Sequence, residues 1–304
     1  MKLDFFCIGA QKAGTTTLHD ILNTHPEIYL PPRKEAQFFD INERYEKGLN
    51  YYFSTFFSTY AGEKYIGNIN PNLQLEERSI DRLISCFGKE IKIVFILRNP
   101  VKRAYSHYLM SKRRGIENLS FIEALEAENR RLQNPIYHPE YITNELGHFE
   151  KNHLGYIYRS SYSKTIDYLY QKFDKQKIKI ILFEDFVLDR ENAVKDVLEF
   201  LNIPFSHELN FFAISNVASE PKSTFVRDIV YKPNLVKRFL RKMLSKRDKE
   251  RIKSFINTIN NKPLSLEKKE IPVLDRKIIY EKYFKSEVEK IEELTDLDLE
   301  RWKR

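Results

Sequence analysis

The sequence predicts an α/β fold: a central parallel sheet, doubly wound and flanked by helices. Three observations carry this expectation. Short apolar runs rich in β-branched and aromatic residues recur in "FFCI", "KYIGNINP", "KEIKIVFILRNP" and "KIKIILFEDF". Helical patterns follow them, as at 100–113 and in "NAVKDVLEFLNI". Apolar residues make up 42% of the 304, and Phe plus Tyr number forty, enough for a sizeable core. Strands alternating with helices form parallel sheets covered on both faces. We expect a single domain over 1–304, with a C-terminal helical portion from about 224 to 304.

Each element has a local cause. Residues 3–8 read as a short buried strand, and 15–24 as a helix that stops before "HPEIYLPP". Pro31 and Pro32 then force an extended loop leading into "RKEAQFFD". The run "KEIKIVFILRNP" is apolar on both faces and closed by Asn-Pro, as suits a central parallel strand. Pro100 opens the next helix at a position where a missing N–H costs little. Ligands of such sheets sit at the carboxyl ends of the strands, and the chemistry-bearing residues gather there.

The first of these ends is "IGAQKAGTTTL". A strand, a glycine-bearing loop and a helix N-terminus present backbone N–H groups and a positive dipole end to an anion. The glycines stand as in a G-x-x-x-x-G-K-[ST] loop, but Thr15 occupies the lysine's place and Lys12 precedes Gly14. Gln11, Lys12, Ala13, Gly14, Thr15, Thr16 and Thr17 are the expected anion contacts, and one threonine is expected to cap the helix. The second end is "IVFILRNP". A Mg-dependent NTPase places an Asp at such a strand tip; here Arg98 offers a fork of donors for an oxyanion. Ser106 follows eight residues later, on the helix begun at Pro100. Two anion sites on neighbouring strands imply a ligand with two separated anionic groups.

These motifs resemble those of the PAPS-dependent sulfotransferases. "GAQKAGTTTL" is similar to their 5′-phosphosulfate loop and "LRNPVKRAYSHY" to their 3′-phosphate motif. "KEAQFFD" with "YEKGLNYYFSTFF" resembles the acceptor-side loop of the heparan sulfate N- and 3-O-sulfotransferases, and "LTDLDLERW" the ending of many bacterial members. The similarities span about residues 3–302. The resemblance implies a P-loop-kinase-like sulfotransferase fold, PAPS as co-substrate without a metal, and a carbohydrate or glycolipid acceptor. It implies Lys12 as the cation at the leaving bridging oxygen, Glu35 as general base, and Arg33, Lys34, Gln37 and His107 on the acceptor side. His107 is the alternative base because it adjoins Ser106. Lys222 in "SEPKSTFVR" corresponds to a late lysine that closes over the nucleotide. Asn68 and Ile69 stand where the glycan enzymes carry a Glu-Lys pair.

Composition bounds the rest. Cys7 and Cys86 read as buried reduced thiols, and His148 and His153 as loop polarity rather than a zinc site. No basic stretch leads into a long apolar run, so no signal peptide is expected, and none approaches the ~20 apolar residues of a membrane span. A cytoplasmic setting follows as an expectation. The net charge of +8 suits an anionic ligand. Residues 232–253 carry ten Lys/Arg against two acids and read as an amphipathic basic helix, suited to peripheral contact with an anionic membrane. Two other functions are open at this point. Glu184 and Asp185 could hold Mg²⁺ in a nucleotide kinase or NTPase, and 232–253 could serve a non-enzymatic basic binding module. The chain has no recognised nucleic-acid motif, and no nucleic-acid partner is expected.

Overall fold

The structure is a computed structural model that describes residues 1–212, 219–223, 226–227, 259–263 and 270–303. The chain forms two compact units. One comprises Met1–Ala104, Ile157–Asn216 and Leu274–Arg304; the other comprises Tyr105–Tyr156 and Val217–Val273. The basic stretch 232–253 lies outside the described residues.

Strand β1 (Phe5–Gly9) leads to α1 (Thr15–Leu22) and the short β2 (Ile28–Tyr29). Helices α2 (Asn42–Tyr45) and α3 (Gly48–Phe56) precede β3 (Tyr65–Ile69), α4 (Glu77–Phe87), β4 (Lys92–Leu97) and α5 (Pro100–Arg113). Next come α6 (Phe121–Gln133), α7 (His148–His153), α8 (Ser163–Lys172), β5 (Ile178–Leu182), α9 (Phe183–Leu188) and α10 (Arg190–Leu201). The described residues end with β6 (Ser219–Pro221), β7 (Asn261–Pro263), α11 (Val273–Ile279) and α12 (Lys285–Thr295).

The first unit is built on a five-stranded sheet in the order β2-β3-β1-β4-β5, parallel throughout. This is the architecture expected from the buried runs. β1 is buried along its whole length, and β4 along all but its first residue, because helices cover both faces. Strand order reverses at β1, between β3 and β4, so the switch point of the sheet lies at the loops that leave β1 and β4.

An aromatic cluster fastens the segment after α1 to this sheet. Phe38 and Phe39 are fully buried and meet edge to face at 5.0 Å, with Phe6, Tyr52 and Phe87 around them. Such pairs add ~0.5–1.5 kcal/mol beyond area burial. Cys7 is buried as expected, and burial pushes its thiol up to about 12; Cys86 is only half-buried, near the Tyr45 hydroxyl, and both are free. Among the described residues, no helix is long and apolar enough to cross a membrane.

The C-terminus closes on the mouth of β4. Trp302, 1% exposed, donates from Nε1 to Glu184 Oε2 at 3.2 Å, and its carbonyl accepts from Asn99 Nδ2 at 3.1 Å. Glu184 Oε1 accepts from the Asn99 N–H at 3.0 Å, and Asp185 takes both arms of Arg301. Neither Glu184 nor Asp185 caps a helix. Instead Asp189 caps α10, accepting from Asn192 N–H at 3.1 Å, because β5 ends at Leu182 and the two acids open the short α9.

Candidate functional site

The loop after β1 is shaped by two left-handed residues, Lys12 at φ 73° and Gly14 at φ 81°. Ala13 N–H closes a turn on the Ala10 carbonyl at 3.1 Å, and Leu18 N–H on the Gly14 carbonyl at 3.0 Å begins α1. Gly14 is therefore the N-cap residue, and no side chain caps the helix. This corrects the expectation of a threonine cap: the threonines fall inside the first turn. At Gly14, φ lies in the region that favours glycine, and a Cβ would stand 3.1 Å from Phe183 and Phe186. The opening N–H groups of α1 have no partner within the helix, so the loop keeps the donor array an anion requires.

Arg98 links this loop to β4. Its Nη1 donates to the Lys12 carbonyl at 2.7 Å, and its guanidinium lies 4.6 Å from the centre of the Phe183 ring. Burial lowers its pKa from the ordinary arginine value, which leaves it a cation. Tyr162 hydroxyl donates to the Arg98 carbonyl at 3.0 Å and fixes the backbone there. Arg98 Nε and Gln11 Oε1 are buried with no hydrogen-bond partner among the described residues. Orphaned polar atoms at a strand-end loop fit a ligand that supplies the missing partners.

The 31–37 loop reaches α1 at two points. His19 Nε2 and the Pro31 carbonyl are 3.2 Å apart, and Lys34 Nζ donates to Thr16 Oγ1 at 2.8 Å and Thr15 Oγ1 at 3.2 Å. Lys34 is 14% exposed at its side chain, and burial lowers its pKa from the ordinary lysine value. Glu35 is 42% exposed, with Oε1 3.8 Å from Lys34 Nζ. Arg44 Nη1 donates to the Ala36 carbonyl at 2.6 Å, Gln37 is left-handed at φ 49°, and Phe38 and Phe39 anchor the exit. Arg33 is exposed, its guanidinium 5.8 Å from the Phe56 ring centre. The loop thus holds Lys34 inward at the head of α1 and leaves Glu35 open.

Behind this loop lies a buried polar net that sequence reading did not single out. Asp40 accepts from Asn70 Nδ2 at 3.2 Å and Asn72 Nδ2 at 3.3 Å, and Asn72 Oδ1 accepts from Arg159 at 2.9 Å. Asn68, at the position of the family's Glu-Lys pair, donates to the Tyr52 hydroxyl at 2.8 Å and is 1% exposed. A small buried amide there packs against the aromatic cluster and presents no charge.

In the second unit, Ser106 is half-buried on the second turn of α5. His107 is fully buried: its Nε2 lies 3.1 Å from the Asn152 carbonyl and its ring packs edge-on against Tyr156 at 5.0 Å. This burial corrects the expectation of an acceptor-facing imidazole. The residue sits on the helix face opposite to what its neighbour Ser106 suggested, because consecutive helical residues diverge by about 100°. Lys222 is exposed just after β6, which pairs antiparallel with β7. Among the described residues, no group of His, Cys, Asp and Glu has the arrangement of a metal site.

Known proteins share this sequence pattern and this fold. Membrane-associated sulfotransferase kil1 of Dictyostelium discoideum is 33% identical over 110 residues, 36% of this chain and 23% of that protein. Heparan sulfate glucosamine 3-O-sulfotransferase 5 of Mus musculus is 26% identical over 198 residues, 65% of this chain and 52% of that protein. The chain thus spans about half or less of these relatives' length. A solved sulfotransferase from Alicyclobacillus acidocaldarius shares the fold at TM-score 0.68 and 24% identity, with all of both chains covered. Residues 2–250 match the family model described as the sulfotransferase domain. Since that match takes in both strand-end loops and the whole parallel sheet, the chain belongs to the sulfotransferase domain family.

Proposed function

We propose that this protein transfers a sulfuryl group from PAPS to a hydroxyl or amine of a carbohydrate or glycolipid, releasing PAP. The observation that carries the reading is the β1–α1 loop. Its left-handed Lys12 and Gly14 open a helix N-terminus, and Arg98 is bonded to that same loop. PAPS brings a sulfuryl group on a phosphate, a good leaving group that needs positive charge at the bridging oxygen as it departs. Lys12 supplies that charge, and the N–H groups of α1 hold the 5′ end. Gln11, Ala13 and Thr17 complete that cradle. Arg98 holds the 3′-phosphate, with Ser106 and Lys222 as further nucleotide contacts. Glu35, open to solvent, takes the proton from the acceptor oxygen or nitrogen as that atom bonds to sulfur and the S–O bond to PAP breaks. Arg33 and Gln37 stand on the same loop for the acceptor. Support for a sugar acceptor comes from the heparan sulfate relative.

A nucleotide kinase is less well served by these residues. Glu184 and Asp185, its candidate metal ligands, already accept from Asn99, Trp302 and Arg301. Calorimetry with PAP and ATP, run with and without a chelator, tests the assignment. PAP should bind more tightly than ATP, with chelation without effect. Tighter ATP binding, or loss of PAP binding on chelation, overturns it. Transfer of label from radiolabelled PAPS across a panel of glycans then identifies the acceptor.

A further inference from the structure

We propose that Lys34 contacts the 5′-anionic end of the sulfuryl donor, supplying from the 31–37 loop the cation that a G-x-x-x-x-G-K-[ST] loop carries after its second glycine. The inference rests on the PAPS reading above. Between Gly9 and Gly14 the spacing is that of such a loop, yet Thr15 stands at the lysine's position. The structure puts an ammonium there by another route. Lys34 Nζ bonds to the hydroxyls of both Thr15 and Thr16, in the first turn of α1. This is where the helix dipole and the unpartnered N–H groups favour an anion.

Three features distinguish this lysine from a surface charge that binds an acidic acceptor. Its side chain is mostly buried, and an ammonium so placed loses hydration that only strong partners restore. The hydroxyls it meets are neutral, and its one carboxylate contact within 4 Å, the ion pair with Glu35 Oε1 at 3.8 Å, is longer than a hydrogen bond and lies on a half-exposed side chain. Thr15 and Thr16 engage two of its three N–H groups, and the third has only the long contact to Glu35, so an oxyanion at the same turn can take it. The loop is also held rigidly. His19 ties Pro31 to α1, Arg44 holds the carbonyl of Ala36, and Phe38 and Phe39 are locked in the core. Lys34 and Glu35 are neighbours, so one peptide delivers a cation to the sulfuryl donor and a base to the acceptor.

Calorimetry with two probes decides the matter: PAP, and adenosine 3′-phosphate, which lacks the 5′-phosphate. Lys34→Gln should weaken PAP about ten- to hundredfold, the loss of one charge-assisted hydrogen bond. It should leave adenosine 3′-phosphate within about twofold of wild type, and Lys34→Arg should recover part of the PAP affinity. Equal weakening of both probes would show that Lys34 only props the loop. Unchanged PAP affinity with a raised acceptor KM would return it to the acceptor side. Either result overturns the proposal while leaving the PAPS reading intact. Absence of PAP binding by wild type overturns that reading and this one together.

Discussion

At positions 34 and 35 two adjacent side chains of opposite charge, 3.8 Å apart, differ in exposure. The ammonium is drawn in toward Thr15 and Thr16, whereas the carboxylate stays open. That split predicts separate effects on binding and turnover. Glu35→Gln keeps the size of the side chain, so PAP affinity should stay near wild type while transfer at saturating PAPS falls by about 10²–10⁴-fold. Full activity with the true acceptor would remove Glu35 from the mechanism. Lys34 also predicts a pH dependence. Burial lowers its pKa, with Glu35 drawing it partly back, so the ammonium is lost at a lower pH than in an ordinary lysine. PAP affinity should therefore fall as pH rises through that lowered value, and Lys34→Arg, which keeps its charge, should not show the fall. Stability runs the other way. Between the lowered folded value and the ordinary one near ~10.4, the unfolded chain holds more protons, so Lys34 makes the fold more stable as pH rises. Calorimetric titration and denaturation across that window separate the two trends.

The β1–α1 loop depends on one glycine, and the mouth of β4 on one tryptophan. Gly14 combines φ 81° with a Cβ position 3.1 Å from two phenylalanine rings. Gly14→Ala should cost about 1–3 kcal/mol through the left-handed backbone alone, and should also distort the opening of α1. Trp302 closes a ring of bonds through Asn99 and Glu184, next to Arg98. Trp302→Ala should lower stability by about 3–5 kcal/mol, as truncation of a buried large aromatic does. Urea denaturation followed by far-UV circular dichroism reads both, as a lower midpoint at unchanged slope. An unchanged midpoint for Trp302→Ala would mean that the tail only rests on the sheet.

For the molecule as a whole, the net charge of +8 and the two strand ends proposed to hold anions predict that a bis-anionic nucleotide stabilises the fold. A ligand that binds only the native state adds about 2.7 kcal/mol at a hundred times its Kd. Scanning calorimetry should show Tm rising with PAP and rising less with adenosine 3′-phosphate at equal concentration. If sulfate alone matched PAP, the effect would be general screening of the basic surface rather than a nucleotide site.

Much of this was open to inspection in the sequence. Continuous apolar runs such as "KIVFIL", β-branched and closed by Asn-Pro, read as strands buried on both faces, and "GAQKAGTTT" after such a run reads as a glycine-bearing turn into a helix; the sheet and α1 bear out both. Composition, periodicity and local backbone chemistry thus settle the parallel α/β architecture and the two strand ends, because these depend on neighbours along the chain. Contacts between distant segments were decided by the tertiary structure alone. No local rule says that Lys34 crosses from its own loop to Thr15 and Thr16, or that Glu184 pairs with Trp302 rather than capping a helix. His107 shows the same limit: beside Ser106 in sequence it resembled a site residue, but the fold turns its ring onto Tyr156 and the Asn152 carbonyl. Which polar side chains are spent inside the protein, and which remain for a ligand, depends on how the segments pack. The strand-end loops were therefore legible from spacing, whereas the pairing of their charges emerged only once the 31–37 loop and the C-terminal turn were placed against the sheet.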